Sequence, residues 1–194
     1  AFDGDKIMYL LSCYMKEKGK LNKDTLVLTV MSNLGVKKAL EKKGIKISET
    51  GVGDRYVVER MLNEGYNIGG EQSGHVILSD INSTGDGIAT ALFVCKVVKE
   101  CGKNIDELAK DVSIYPQVLI NATVDNDKKH DYEKDSVILE AIKAIEDKYA
   151  GNGRVLIRTS GTEPLVRVMI EGENQNEIKE DATSLAKRIE ERWS

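Results

Sequence analysis

The hydrophobic positions of this chain alternate between helical and strand-like spacing. From Asp5 to Lys18, the residues Ile7, Met8, Leu10, Leu11, Tyr14 and Met15 recur at helical intervals, and Gly19 offers a stop. Thr25-Leu26-Val27-Leu28-Thr29-Val30 is an unbroken run of the kind found in strands buried on both faces. Asn33 can cap a helix that runs through Lys43 and ends at Gly44, and a short second strand is predicted over 45–48. After Gly51-Val52-Gly53-Asp54-Arg55, a helix is predicted over 56–63, with Val57, Val58, Met61 and Leu62 as its apolar positions. Residues 66–70 and 76–78 read as strands on either side of Glu71-Gln72-Ser73-Gly74-His75. Thr84-Gly85-Asp86-Gly87 launches a helix over 88–100, and a shorter one is predicted over 106–111.

At Tyr115-Pro116 the pattern changes, and a boundary is expected there, giving domains of 1–116 and 117–194. Residues 118–124 read as a strand. A charge-rich loop over 126–134 follows, in which His130 is most simply a surface histidine. A helix over 133–149, strands at 154–157 and 165–170, and an amphipathic helix over 177–192 complete the chain. The last of these faces Ile178, Ala182, Leu185, Ala186 and Ile189 inward. Alternating strand and helix predict an α/β unit with a mostly parallel or mixed sheet in the first part. The order strand, helix, strand, strand, helix predicts a small α+β domain in the second, one antiparallel sheet with both helices on one face.

Composition sets bounds on this picture. The chain has 194 residues, 41% hydrophobic and 31% charged, enough to bury a core in each domain. No apolar run approaches bilayer-spanning length and the start lacks a basic segment followed by a long apolar one. A cytoplasmic protein without a membrane partner is therefore expected. A net charge of -4 argues against a nucleic-acid partner, which demands a concentrated basic face, so the phosphates handled here are expected to be small. Cys13, Cys95 and Cys101 are odd in number and lack metal-ligand spacing; they are expected to be reduced thiols without a catalytic role.

Candidate chemistry gathers in the loops. Arg158-Thr159-Ser160-Gly161-Thr162-Glu163-Pro164 joins two strands, with Arg167 just beyond. Its hydroxyls and tightly turned backbone N–H groups, with the fork-shaped donors of Arg158 and Arg167, suit an anion such as phosphate. An ordinary turn with solvated arginines is the plain alternative. Glu71, Ser73 and His75 alternate in a glycine-bracketed loop and, on an extended backbone, point the same way, an arrangement suited to a polyhydroxylated ligand. The plain alternative there is a hairpin turn. Gly53-Asp54-Arg55 offers close backbone approach followed by two charges, or else a helix start capped by Asp54. Asp86 likewise reads first as helix-start chemistry. Asp3-Gly4-Asp5 has too few ligands for Mg²⁺ and reads as a helix cap.

Taken in order and spacing, Val52-Gly53-Asp54-Arg55-Tyr56-Val57, Gly70-Glu71-Gln72-Ser73-Gly74-His75, Thr84-Gly85-Asp86-Gly87-Ile88 and Arg158 to Pro164 resemble the second half of the α-D-phosphohexomutases. The wording is most similar to the bacterial amino-sugar branch. The resemblance covers essentially the whole chain and implies the third domain of that family, an α/β unit, followed by the fourth, a small sheet-and-two-helix domain. It implies an isomerase interconverting glucosamine 6-phosphate and glucosamine 1-phosphate, on the way to UDP-N-acetylglucosamine and the cell wall. A phosphoserine in the first domain and Mg²⁺ in the second carry the chemistry.

By the same resemblance, Glu71, Ser73 and His75, with Gly53, Asp54 and Arg55, contact the sugar, and His75 is a candidate auxiliary for proton handling. Arg158, Ser160, Gly161, Thr162 and Arg167 grip the phosphate that is not reacting. The family's nucleophilic serine motif and its complete aspartate-rich metal loop are missing from this sequence. A piece of the enzyme is therefore expected, with Ala1-Phe2 at its edge, binding a hexosamine phosphate without turnover and holding no metal. Its expected partners are the enzyme's preceding domains and, for the whole enzyme, a second copy in a homodimer. A phosphoglucomutase or phosphomannomutase, and a non-catalytic sugar-phosphate-binding module, are the alternatives.

Overall fold

The computed structural model describes residues 2–194; Ala1, the first residue of the expected first domain, lies outside the described residues. The chain divides into two compact units, one ending at Ile114 and one spanning Tyr115–Ser194.

In the first unit the elements run α1 (Gly4–Glu17), β1 (Thr25–Thr29), α2 (Leu34–Lys42), β2 (Lys46–Thr50), α3 (Asp54–Glu64), β3 (Ile68–Gly70), β4 (Val76–Leu78), α4 (Gly87–Cys101) and α5 (Ile105–Leu108). The sheet order is β2-β1-β3-β4, with β1 parallel to both neighbours and β4 antiparallel to β3. Every residue of β1 is buried, the expected state of a central parallel strand covered on both faces. Leu26 and Leu28 point into a core shared with α1, α2 and α4, whereas Val27 points to the opposite face, against Val57 and Met61 of α3. That division follows from the connections. The chain steps from β1 to β2 in one direction and from β2 past β1 to β3 in the other. Right-handed crossovers then place α2 and α3 on opposite faces.

Helix ends follow local chemistry. Asp3 caps α1 by accepting from Lys6 N–H at 3.1 Å, and Asn33 caps α2 by accepting from Gly35 N–H at 3.0 Å. Asp86 caps α4 by accepting from the Ile88 and Ala89 N–H groups, which with Asn82 hold its carboxyl below the usual range. Gly65 and Gly102 end α3 and α4 in left-handed conformations.

The second unit contains β5 (Gln117–Thr123), α6 (Ser136–Lys148), β6 (Gly153–Thr159), β7 (Leu165–Gly172) and α7 (Gln175–Trp193). Its sheet is antiparallel in the order β5-β7-β6. Ala122, Val155, Ile157, Val166, Val168 and Ile170 share one core with Ile138 of α6 and Ile178, Leu185 and Ile189 of α7, so both helices cover the same face. Helix α6 starts at Ser136, later than the residue 133 expected from spacing. Asp135 accepts from Ile138 N–H and fixes the cap there, leaving Asp131–Glu133 as a separate 3₁₀ turn. Strand β7 continues past Ile170 because Glu171, fully buried, receives Arg154 Nε from the neighbouring strand.

Tyr149 closes α6 over two glycines paired across the sheet: a Cβ on Gly153 would stand 2.8 Å from Tyr149 Cβ, and one on Gly172 3.4 Å from its ring. Its hydroxyl donates to Asp181 of α7. Burial first and this hydrogen bond second push the phenol up to about 12. A raised phenol favours the folded state below its ordinary value of 10.0, and that stability is lost as pH rises through about 12. Tyr149→Phe is expected to flatten the fall in melting temperature between about pH 10 and 12 relative to wild type. Thermal melts across that range check it, and an unchanged slope contradicts the assignment.

Candidate functional site

In the first unit the loops leaving the carboxyl ends of β2 and β3 lie on either side of β1, where the direction of strand addition reverses. Open α/β sheets form their crevice at such a point. The two loops are joined: Gly53 N–H donates to Glu71 Oε1 at 2.9 Å. Gly53 adopts φ 128°, ψ 132°, a conformation that L side chains rarely take, and serves as the N-cap of α3. Asp54 is therefore the first residue of the helix and not its cap; its carboxylate accepts from Arg55 N–H at 2.8 Å. The Arg55 guanidinium lies 4.7 Å from the centroid of the Tyr56 ring and donates to the Tyr56 hydroxyl at 3.0 Å. Asp54 and Arg55 are both exposed.

The segment 71–75 is a tight hairpin turn, the plain alternative, and not the extended backbone on which Glu71, Ser73 and His75 would point the same way. Glu71 N–H donates to His75 O at 2.9 Å, Gly74 N–H donates to Glu71 O at 3.0 Å, and Gly74 sits at φ +104°. The antiparallel pairing of Gly70 with Val76 pins both ends and forces the closure. Glu71 consequently turns toward the start of α3, while Ser73 and His75 are exposed.

Two further helices begin against this hairpin. Gly4 N–H at the start of α1 donates to Gln72 O at 3.1 Å, and a Cβ on Gly4 would stand 2.3 Å from Glu71 O and 2.7 Å from Gly74 N. Before α4, Asp86 N–H donates to Val76 O at 3.3 Å, and a Cβ on Gly85 would stand 3.0 Å from His75 Cδ2. The amino ends of α1, α3 and α4 thus border one loop, and their partial positive charge favours an oxygen-rich or anionic ligand. Asp3 and Asp5 do not fit a cation cage: Asp3 caps α1, and Asp5 is fully buried and accepts from Asn33 N–H at 2.7 Å. Among the described residues no group of three or more His, Cys, Asp or Glu side chains is placed to hold a metal ion.

In the second unit the hairpin between β6 and β7 sets Arg158 directly opposite Arg167. Ile157, Val166 and Val168 face the helices, so the two arginines project from the other side of the sheet. Like charges paired across strands repel. Burial first, and Arg167 second, lower the pKa of the Arg158 guanidinium. Among the described residues the Arg158 side chain makes no hydrogen bond or ion pair. Arg167 reaches Glu163 Oε2 through Nη2 at 3.0 Å, while its Nε is buried without a partner. Ser160 is buried, accepting from Glu163 N–H at 3.1 Å through Oγ, and its own N–H closes the turn on Leu165 O at 2.9 Å. Gly161 and Thr162 are exposed, and their N–H groups have no acceptor among the described residues. Sequence spacing missed one neighbour. Lys129, in the charge-rich loop, donates through Nζ to Ser160 O at 3.0 Å, and nothing in its local sequence distinguishes it from the solvated lysines beside it. His130 is exposed, 3.2 Å from Glu133.

A family model described as phosphoglucomutase/phosphomannomutase, alpha/beta/alpha domain III, matches residues 3–115, and the C-terminal domain model of the same family matches 119–188. The phosphoglucosamine mutase of Caldicellulosiruptor bescii is 59% identical over 99% of this chain, and that of Clostridium novyi 55% identical over 98%. The chain spans 43% and 42% of the lengths of these relatives. Among solved structures, the N-acetylphosphoglucosamine mutase of Aspergillus fumigatus superposes with a TM-score of 0.83 at 20% identity, over 98% of this chain and 43% of that one. The same fungal enzyme in complex with GlcNAc-6P and magnesium gives 0.80, also at 20% identity, over 100% and 44%. At such identities the superpositions speak to fold alone.

Gly4→Ala tests the close approach of α1 to the hairpin. Backbone atoms surround the new methyl, so the helix must shift, and a destabilisation of about 1–3 kcal/mol is expected in urea titration, with amide resonances of residues 71–75 displaced. Gly74→Ala, in open space, is expected to cost only the roughly 1 kcal/mol of its positive φ. A Gly4→Ala chain as stable as wild type, with the resonances of residues 71–75 unmoved, would contradict the geometry.

Proposed function

The chain belongs to the phosphoglucomutase/phosphomannomutase family, matching its third and C-terminal domains, and we propose that it forms that part of a phosphoglucosamine mutase. The enzyme interconverts glucosamine 6-phosphate and glucosamine 1-phosphate. The observation that carries this reading is the cross-strand pair Arg158 and Arg167, two cations held side by side against their mutual repulsion with unused donors. A phosphate dianion would relieve that repulsion and take up the donors. Arg158, Arg167, Ser160 and the N–H groups of Gly161 and Thr162 bind the phosphate that does not react. Glu71, Ser73, His75, Gly53, Asp54 and Arg55 bind the sugar, and His75 assists locally in proton handling.

Such an arrangement serves a mutase because the reaction requires the sugar to be held in both orientations. Backbone N–H groups and guanidinium forks recognise a phosphate regardless of the carbon that bears it. A carboxylate and hydroxyl in one loop accept and donate to sugar hydroxyls in either pose. Phosphoryl transfer and Mg²⁺ belong to other domains of the parent enzyme, since Asp3 and Asp5 are committed to helix ends. The intact enzyme works as a soluble cytoplasmic protein, in the simplest case a homodimer.

Isothermal titration of this chain is expected to give similar affinities for glucosamine 6-phosphate and glucosamine 1-phosphate, weaker binding of glucose and mannose 6-phosphates, and no turnover. Tighter binding of a non-amino sugar would overturn the amino-sugar assignment. Gly161→Ala separates function from stability: its Cβ meets nothing within 4 Å. Folding is expected to change by less than about 0.5 kcal/mol, while phosphate affinity falls because the methyl occupies space a phosphate oxygen needs. Unchanged affinity would remove Gly161 from the site.

A further inference from the structure

Lys129 lies in the loop between β5 and α6, outside the hairpin of residues 158–164. Its neighbour Lys128 is committed to Asp125 at 2.8 Å, and Asp131 N–H returns to Lys128 O at 2.9 Å, so the loop is folded on itself. Lys129, half-buried, instead crosses to the hairpin and donates to Ser160 O at 3.0 Å. Among the described residues it forms no ion pair with a carboxylate.

The acceptor of that bond decides what it can do. A trans peptide is planar, so the Ser160 carbonyl and the Gly161 N–H point in opposite directions from the same rigid unit. Fixing the carbonyl toward Lys129 fixes the Gly161 N–H away from it, on the exposed side of the turn. Gly161 lacks the Cβ that would otherwise restrict the backbone, so a peptide that flanks it turns over more readily than its neighbours unless something holds it. Ser160 Oγ does not hold it: the hydroxyl accepts from Glu163 N–H at 3.1 Å and donates to Glu163 Oε2 at 3.4 Å.

We propose that Lys129 is a positioning residue of the anion loop, its ammonium locking the peptide between Ser160 and Gly161 so that the Gly161 N–H is presented to a bound phosphate. This rests on the phosphate-binding reading above. The lock orders a donor before the ligand arrives and brings a positive charge to the carbonyl side of the turn. Lys129→Arg keeps both charge and donor. Lys129→Gln keeps a shorter neutral donor and loses the charge.

The test is titration of the ¹⁵N-labelled 194-residue chain with inorganic phosphate and with glucosamine 6-phosphate, following amide resonances, for wild type, Lys129→Gln, Lys129→Arg and Arg158→Ala. Lys129→Gln is expected to weaken both probes by roughly 3- to 10-fold with an unchanged melting temperature, and Lys129→Arg to restore affinity to within about twofold. The Gly161 amide is expected to move on binding in wild type. Wild-type affinity in Lys129→Gln, with binding abolished in Arg158→Ala, overturns the role of Lys129 and leaves the phosphate site standing. A Gly161 amide that stays still while the Arg158 resonances move does the same without relying on a variant. No binding by wild type, or full binding by Arg158→Ala, overturns the phosphate site and this proposal with it.

Discussion

The hydrogen bond from Gly53 N–H to the Glu71 carboxylate organises the α/β unit's site. It joins the loop after β2 to the loop after β3, two segments whose strands are held apart by β1. A carboxylate at the first turn of α3 is favourable in its own right, since it answers an amide that the helix leaves unpaired and sits at the positive end of the dipole. The geometry that permits it is backbone geometry: Gly53 takes a conformation that other residues rarely adopt, and Gly4 must let α1 touch the hairpin. The site is therefore rigid where it is fastened and polar where it is open. Glu71 is fixed from behind, while Ser73 and His75 stand in solvent.

The α+β unit is organised by strand register instead. Antiparallel register, set by the alternation of Val166, Val168 and Ile170 into the helices, leaves Arg158 and Arg167 no choice but to face each other. The hydrophobic core thus imposes an electrostatic cost on the opposite face of the sheet. Glu163 offsets part of it by accepting from Arg167, but it is an exposed side chain whose pairing water and salt screen. Arg158 keeps its charge without any carboxylate among the described residues.

The layered architecture, the antiparallel second sheet and most helix caps were legible in the sequence because each follows from a local signal: Asp3, Asn33 and Asp86 act within a few residues of where they stand. The loops carrying the candidate chemistry were legible as motifs but not as shapes. Alternation suggested an extended loop over 71–75, and the hairpin won because Gly70 pairs with Val76, a contact that depends on β3 already lying in the sheet. Asp54 lost the capping role to a glycine whose φ no composition signal reveals. Lys129 was illegible altogether: its partner is 31 positions away, and a carbonyl leaves no trace in side-chain pattern.

These differences bear on what each group can do. A hydroxyl and an imidazole exposed on a short turn, and a guanidinium exposed on the first turn of α3, can meet a ligand in more than one pose, whereas a carboxylate bonded to a helix amide cannot leave its place without exposing that amide. Glu71 is in this sense a fixed reference, and Ser73, His75 and Arg55 are the groups free to adapt. In the second unit the order is reversed, because there the charges themselves are fixed, by sheet register. A ligand that presents its hydroxyls in two orientations but always ends in a phosphate would make the same division of labour: tolerance at the hydroxyls and constancy at the charge.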